Sequence, residues 1–214
     1  MEILLSSVEV RILGALIEKE LTTPEYYPLT LNSLINACNQ KSNRDPVVNY
    51  DDSIVDKAIG SLRDKQYVTR VTGSDMRVPK FKQIFSDEMK FTPEETAVMC
   101  VLMLRGSQTI GEIKGRSGRM FNFNSLLQVE DVINALAFRE KPLVMKLARQ
   151  AGMKESRYAH LLSGEPIINS ESEPIDEKNQ DNDRFAKLEQ ELCSLKTEFE
   201  DIKSQFNELK KLLE

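Results

Sequence analysis

The chain has 214 residues, of which 40% are hydrophobic and 29% are charged, and its formal net charge is −5. This length is enough for one large domain or two small ones, each with its own core. No run of about 18 apolar residues indicates a membrane span, and the N-terminus lacks the basic segment and cleavage site of a signal peptide, so we expect a cytoplasmic protein without membrane contact.

The first predicted element is a helix over SSVEVRILGALIEKE. Ser6 and Glu9 have the spacing of a capping box, in which the two side chains satisfy free N-terminal amides. Apolar residues such as Ile12, Leu13 and Leu16 recur at helical spacing. We therefore expect a helix with one buried face.

Two further helices and a hairpin are predicted next. Thr30 is a suitable N-cap for the short segment LNSLINACN, and Asp51 or Asp52 for a third helix. The stretch ACNQKSNRDPVVNYDD between them is longer than the three or four residues of an ordinary helix-turn-helix connection. After the third helix, YVTRV and MRVPKFKQIF are typical of a β-hairpin. Pro79 predicts that the second strand lies at a sheet edge, because proline has no amide to donate.

The same order of elements then repeats. The segment TPEE at residues 92–95 combines an N-cap threonine, a proline at the first helical position and a glutamate at the third, and it opens an apolar helix. A short helix around TIGEIKGRS, a longer one from about Ser125 to Arg139 and a second hairpin follow. Three helices and a hairpin are the order of a winged helix-turn-helix. We therefore predict an α+β fold, mainly helical with small β-hairpins, built from two tandem modules at residues 1–90 and 91–165.

The C-terminal part differs in composition. Residues 166–182 are rich in Ser, Glu, Asp and Asn and predict a flexible acidic linker. Residues 183–214 carry apolar side chains at alternating steps of three and four, which is the seam of a coiled coil and predicts a homodimer joined through this helix. The alternative is a helix that docks on the modules of its own chain.

The sequence contains no pattern typical of an enzyme or a cofactor site. His160, the single histidine, has no nearby Cys, Asp or second His, which makes it a poor metal ligand and a poor catalytic base. Cys38, Cys100 and Cys193 are too far apart for a Cys-x-x-Cys pair, and we expect the first two to be core residues. Gly-rich phosphate loops and nucleophile elbows are missing. We expect no catalytic residue, no metal and no cofactor.

Charge is divided unevenly along the chain. Residues 169–214 have 7 basic and 13 acidic side chains, whereas residues 105–160 have 10 basic and 5 acidic ones. A winged helix-turn-helix places its third helix in the DNA major groove, but the first module's third helix opens with Asp51 and Asp52, which would repel DNA. The candidate contacts to nucleic acid or to a partner therefore lie in the connector and in the second module: Lys41, Arg44, Lys114, Arg116, Arg119, Gln128, Asn134, Arg149, Lys154 and Arg157. The alternative is that these side chains form ordinary solvated surfaces.

Three blocks of sequence carry a family resemblance. They are KELTTPEYYPLTLNSLINACNQKSNRDPVVN, LMLRGSQTIGEIKGRSGRM and KESRYAHLLSGE, and the match extends over about residues 5–165. Through them the chain resembles the YceH-type family of uncharacterised bacterial proteins. The resemblance implies two tandem winged-helix modules and a C-terminal helix, and it implies no activity, substrate or binding residue.

Two functions remain open. The first is a dimeric DNA-binding protein, a transcriptional regulator in which the second module supplies most of the phosphate contacts. The alternative is an interaction module or scaffold whose paired winged helices bind another protein, which the acidic third helix favours. For the connector, the question is whether Lys41 and Arg44 face a ligand or the adjacent module.

Overall fold

Seven α-helices and five short strands form the part of the chain that this computed structural model describes, namely residues 4–73, 78–149 and 155–165. The helices are α1 (Ser7–Thr22), α2 (Leu31–Cys38), α3 (Asp52–Asp64), α4 (Phe85–Glu88), α5 (Pro93–Arg105), α6 (Ile110–Ser117) and α7 (Leu126–Ala137). The strands are β1 (Leu29–Thr30), β2 (Val68–Val71), β3 (Lys80–Gln83), β4 (Val144–Lys146) and β5 (Tyr158–His160). About half of the described residues are helical and the strand pairs are antiparallel, so the predicted α+β class is confirmed.

Some predictions concern residues outside these ranges. They are Ser74 and Asp75 of the turn GSD in the first hairpin, the turn near Gly152 in the second, Lys154, the linker at 166–182 and the coiled coil at 183–214.

The predicted helix starts are confirmed. Ser6 and Glu9 form a capping box at α1, and Thr92 and Glu95 form one at α5. Thr30 caps α2, and Asp51 caps α3 by accepting a hydrogen bond from the Ile54 amide at 2.8 Å. Local side-chain chemistry therefore sets where these helices begin.

Helices α1 and α5 form the centre of the core. Nine consecutive residues of α1, from Glu9 to Ile17, are buried, so the prediction of a single buried face is wrong. The reason is that α5 packs on the side of α1 that α2 and α3 leave uncovered. The two helices cross closely at Gly14, because a Cβ there would lie 2.9 Å from the side chain of Leu104. The Cys100 thiol donates to the Gly14 carbonyl at 3.4 Å.

The first sheet has the order β1-β3-β2, so β3 is its central strand. The prediction from Pro79 that this strand lies at an edge is therefore wrong. Pro79 precedes Lys80, the first paired residue, and its missing amide removes no hydrogen bond from the ladder. Strand β1, whose two residues lie directly before α2, was not predicted from the sequence.

The second half repeats this topology. Strands β4 and β5 pair, and Gln108, directly before the N-cap of α6, forms a bridge with Tyr158 of β5. The two backbone hydrogen bonds of the bridge are 3.0 and 2.8 Å long. Gln108 therefore occupies the place that β1 has in the first half, and helix, strand, helix, helix and hairpin occur twice in the same order.

Candidate interaction surfaces

The long connector between α2 and α3, residues 39–51, is held by buried arginines. The side chain of Arg44 is 0% exposed, and its guanidinium donates to Glu18 of α1 at 2.6 Å and to the Ala37 carbonyl at 2.9 Å. Arg11, buried within α1, donates to the Pro46 carbonyl at 2.6 Å. These charge-assisted bonds fix the connector against the first helix.

The connector also reaches the second half of the molecule. The Asp45 amide donates to the Leu104 carbonyl of α5 at 2.9 Å, and Arg105 donates to the side chain of Asn43. The connector is thus long enough to extend from α2 to the end of α5. Of its two candidate residues, Arg44 is directed inward to Glu18 and is inaccessible to a ligand, whereas Lys41 is exposed.

Glu112 organises the cationic side chains around α6. As the third residue of the helix, it forms a capping box with Thr109. It also accepts from Arg157 at 3.3 Å and from Arg116 at 3.4 Å. Burial alone would raise the pKa of Glu112, but the Thr109 amide and the two arginines together lower it. Arg157 additionally donates to the Ser107 carbonyl at 2.7 Å, so two of the candidate residues are already paired within the protein.

Two more candidate residues stabilise the start of α7. The Asn124 amide donates to the side-chain oxygen of Gln128 at 3.0 Å, and Lys114 donates to the Asn124 carbonyl at 3.3 Å. Asn134, further along α7, is exposed.

The remaining candidates are exposed or lie outside the described residues. Arg119 follows α6 and is exposed, and within the described ranges it makes no ion pair. Arg149 is exposed beyond β4, and Lys154 falls in the range that the structure does not describe. The structure therefore does not gather the nine described candidates into one surface.

The exposed face of α7 was not predicted from the sequence. Leu127 and Phe138 are 70% and 86% exposed, although both are large and apolar. Glu130 and Asp131 are also exposed on this helix. The signal was present in the segment LLQVEDVINALAF, which contains two acids and no basic residue. We call Leu127, Glu130, Asp131, Asn134 and Phe138 the α7 face.

The described residues contain no cluster of three or more His, Cys, Asp or Glu side chains suited to a metal ion. Cys38 and Cys100 are buried, as predicted, and burial raises the pKa of both thiols, that of Cys38 to about 12. Burial lowers the pKa of His160 to about 4, and its Nδ1 is buried without a hydrogen-bond partner among the described residues. Within the same ranges, every helix is too short or too polar to cross a membrane.

Comparison with known proteins supplies the family. Residues 5–153 match the model described as "Protein of unknown function, DUF480". The UPF0502 protein of Citrifermentans bemidjiense is 50% identical over 194 residues, which is 90% of this chain and 90% of that protein. Those of Solibacter usitatus and Pelobacter propionicus are 48% and 46% identical, covering 94% and 96% of this chain and 98% and 100% of their own lengths. The chain therefore belongs to the DUF480, or UPF0502, family of uncharacterised bacterial proteins.

Proposed function

We propose that the chain is a cytoplasmic, non-enzymatic protein-interaction module built from two winged helices, at residues 1–90 and 91–165. The repeated order of helix, strand, helix, helix and antiparallel hairpin supports the winged-helix assignment, as does the pairing of the strand before the second helix with the last hairpin strand. In this arrangement α3 and α7 are the two recognition helices.

The observation that carries the choice of partner is the α7 face. Leu127 and Phe138 are eleven residues apart, or three helical turns, so they lie on one side of the helix about 16 Å from each other. Glu130, Asp131 and Asn134 lie between them. An acidic helix would repel the phosphates of a DNA groove, whereas large apolar side chains on one face of a helix can anchor it in a groove of another protein.

The recognition helix of the first module has the same sign of charge. Asp51, Asp52 and Asp56 are exposed at its N-terminal end, where a DNA-reading helix contacts the base edges. These acidic helices therefore support a protein as the partner, whereas the sequence alone made DNA the first hypothesis. A partner of matching chemistry carries apolar side chains next to lysine or arginine, because these would pair with Glu130 and Asp131.

The test is a quantitative affinity capture from nuclease-treated lysate with three forms of the full chain. They are the natural protein, a Leu127→Ser/Phe138→Ser variant, and a Val47→Ser/Val78→Ser control that removes two exposed apolar residues elsewhere. We expect a partner that the first and third forms retain and the second loses, and we expect Glu130→Lys/Asp131→Lys to lose the same partner. If no captured protein depends on the α7 face, the proposal is wrong.

DNA binding remains the second candidate, because Arg116, Arg119 and Arg149 are exposed on the second module. In this case α6 and the hairpin would hold phosphates without base readout by α7. A salt titration of binding to duplex DNA tests it, since phosphate contacts require a steep loss of affinity with salt. Failure to retain DNA at low salt would remove this candidate.

For assembly, we propose a homodimer through residues 183–214, on the basis of the heptad pattern. Light scattering on the full chain and on a chain that ends at residue 182 tests it. The shorter chain should have the mass of a monomer, and equal oligomeric states would refute the dimer.

A further inference from the structure

A cleft of about 280 Å³ lies where the two halves of the described chain meet. Its walls come from the C-terminal parts of α1 and α5, from the connector at Asn43, and from the end of α6. No residue of the α7 face or of the acidic N-terminal end of α3 lines this cleft.

The charge of this cleft is strongly positive. Among its lining residues are three arginines, Arg105, Arg116 and Arg119, and one acid, Glu18. The acid is already neutralised, because the buried Arg44 donates to both of its carboxylate oxygens, at 3.1 and 2.6 Å. Burial and then the positive charge of Arg116 lower the pKa of Arg105, which indicates that the cations lie close enough to repel each other.

The existing partners of these arginines leave donors free. Arg105 binds Asn43, and Arg116 pairs with Glu112 at 3.4 Å, which is long for a charge-assisted bond. Arg119 has no ion-pair or hydrogen-bond partner among the described residues. Each guanidinium carries five N–H groups, so most of the donors at this cleft have no acceptor among the described residues.

Apart from the polar side chains of Thr22 and Asn43, the rest of the lining is apolar or glycine. Val101, Leu104 and Met120 form an apolar wall, and Gly115 and Gly118 stand at the end of α6. A Cβ at either glycine would meet nothing within 4 Å, and neither has a positive φ. Packing and backbone conformation therefore do not require glycine at these positions, and in a helix interior Gly115 costs about 1 kcal/mol relative to alanine. Glycine does leave open a path by which a ligand could approach the backbone.

We propose that this cleft binds a small organic phosphate. A planar guanidinium can donate two parallel hydrogen bonds to two phosphate oxygens, whereas a lysine acts as a point charge. A phosphate ligand would therefore explain why the cations at this cleft are arginines. The apolar wall of Val101, Leu104 and Met120 would contact the organic part. The glycines at the end of α6 leave room for it.

The test is calorimetric titration of the full chain with phenyl phosphate and, separately, with inorganic phosphate at matched ionic strength. We expect saturable binding of phenyl phosphate that is tighter than that of inorganic phosphate. Arg119→Gln should weaken it about tenfold, the usual effect of losing one charge-assisted hydrogen bond. Gly115→Ala should weaken it at least as much while the midpoint of thermal unfolding stays the same or rises, because the added methyl group fills the cleft and not the core.

Arg70→Gln is the matched control, since this exposed arginine on β2 does not line the cleft, and the variant should bind phenyl phosphate as tightly as the natural chain. Absence of saturable binding, equal affinities for the two phosphates, or equal weakening by Arg119→Gln and Arg70→Gln would each overturn the proposal.

Discussion

The two halves of the described chain share one topology but differ in the connector between their second and third helices. In the first half, residues 39–51 are fixed by Arg11 and Arg44 and extend to α5. In the second, residues 118–125 are shorter and are held by caps at the start of α7 and by the buried Phe123. The first half therefore has an additional surface that contacts the second half, and its connector joins the two halves.

Among the proposed variants, Arg44→Met should cause the largest loss in the free energy of unfolding. It removes one partner of a buried ion pair and leaves the Glu18 carboxylate and the Ala37 carbonyl short of donors. We expect the free energy of unfolding to fall by about 3–5 kcal/mol, measured by urea denaturation followed by circular dichroism.

Lys41→Met is the control for this change, since Lys41 is exposed on the same connector. It should alter the free energy of unfolding by less than about 0.5 kcal/mol. Equal losses in the two variants would contradict the anchoring of the connector on α1 by Arg44.

Gly14→Ala tests the same junction at the crossing of α1 and α5. The new methyl group would lie 2.9 Å from Leu104, so the helices must move apart, and we expect a loss of about 1–3 kcal/mol in urea denaturation. Gly60→Ala in α3 is the matched control, because a Cβ there meets nothing within 4 Å. It should be neutral or stabilise by up to about 1 kcal/mol. Two alanine variants with the same stability would contradict a close crossing.

A third prediction compares Gln83 and His160, which hold equivalent positions in the two hairpins. Gln83 is opposite Val68 and His160 is opposite Val144, each pair closing the end of its ladder. Both polar groups of Gln83 are bonded, to Glu20 at 2.5 Å and to the Ser86 amide at 2.9 Å. His160 has an unpartnered Nδ1 and a pKa lowered to about 4 by burial.

Because the unfolded chain binds a proton at His160 near pH 6.5 and the folded chain only near pH 4, stability should decrease as the pH falls between these values. His160→Gln should remove this part of the pH dependence, on the order of 1 kcal/mol. Thermal unfolding of both forms at pH 7 and pH 5 measures it. A decrease of the same size in the variant would assign the acid sensitivity to other groups.

The helix starts were predictable because a cap is a local device that a few neighbouring residues specify. Ser6, Thr30, Asp51 and Thr92 all act as expected. Periodicity failed for α1, because burial on its second side depends on α5, far away in sequence. The edge position expected from Pro79 failed for a similar reason, since β1 adds to β3 from outside the hairpin.

The candidate surfaces were harder to predict than the elements. Charge counts identify arginines but not their partners, and Arg44 and Arg157 are paired within the protein. The segment LLQVEDVINALAF contains two acids between apolar residues. This pattern indicates the α7 face only when the boundaries of the helix and its buried side are known. The cleft near Gly115 depends on four separate segments of the chain, and no local pattern specifies it.

The crossing of α1 and α5 has a consequence for synthesis on the ribosome. Gly14 and Cys100 are 86 residues apart, and a ribosome takes about 4–17 s to cover that distance at its usual rate. During this interval the N-terminal helix has been made but the helix that covers its second side has not. Slow translation before residue 105 would prolong the exposure of that apolar surface, and the nascent chain should be a better chaperone substrate at this stage than after α5 has emerged.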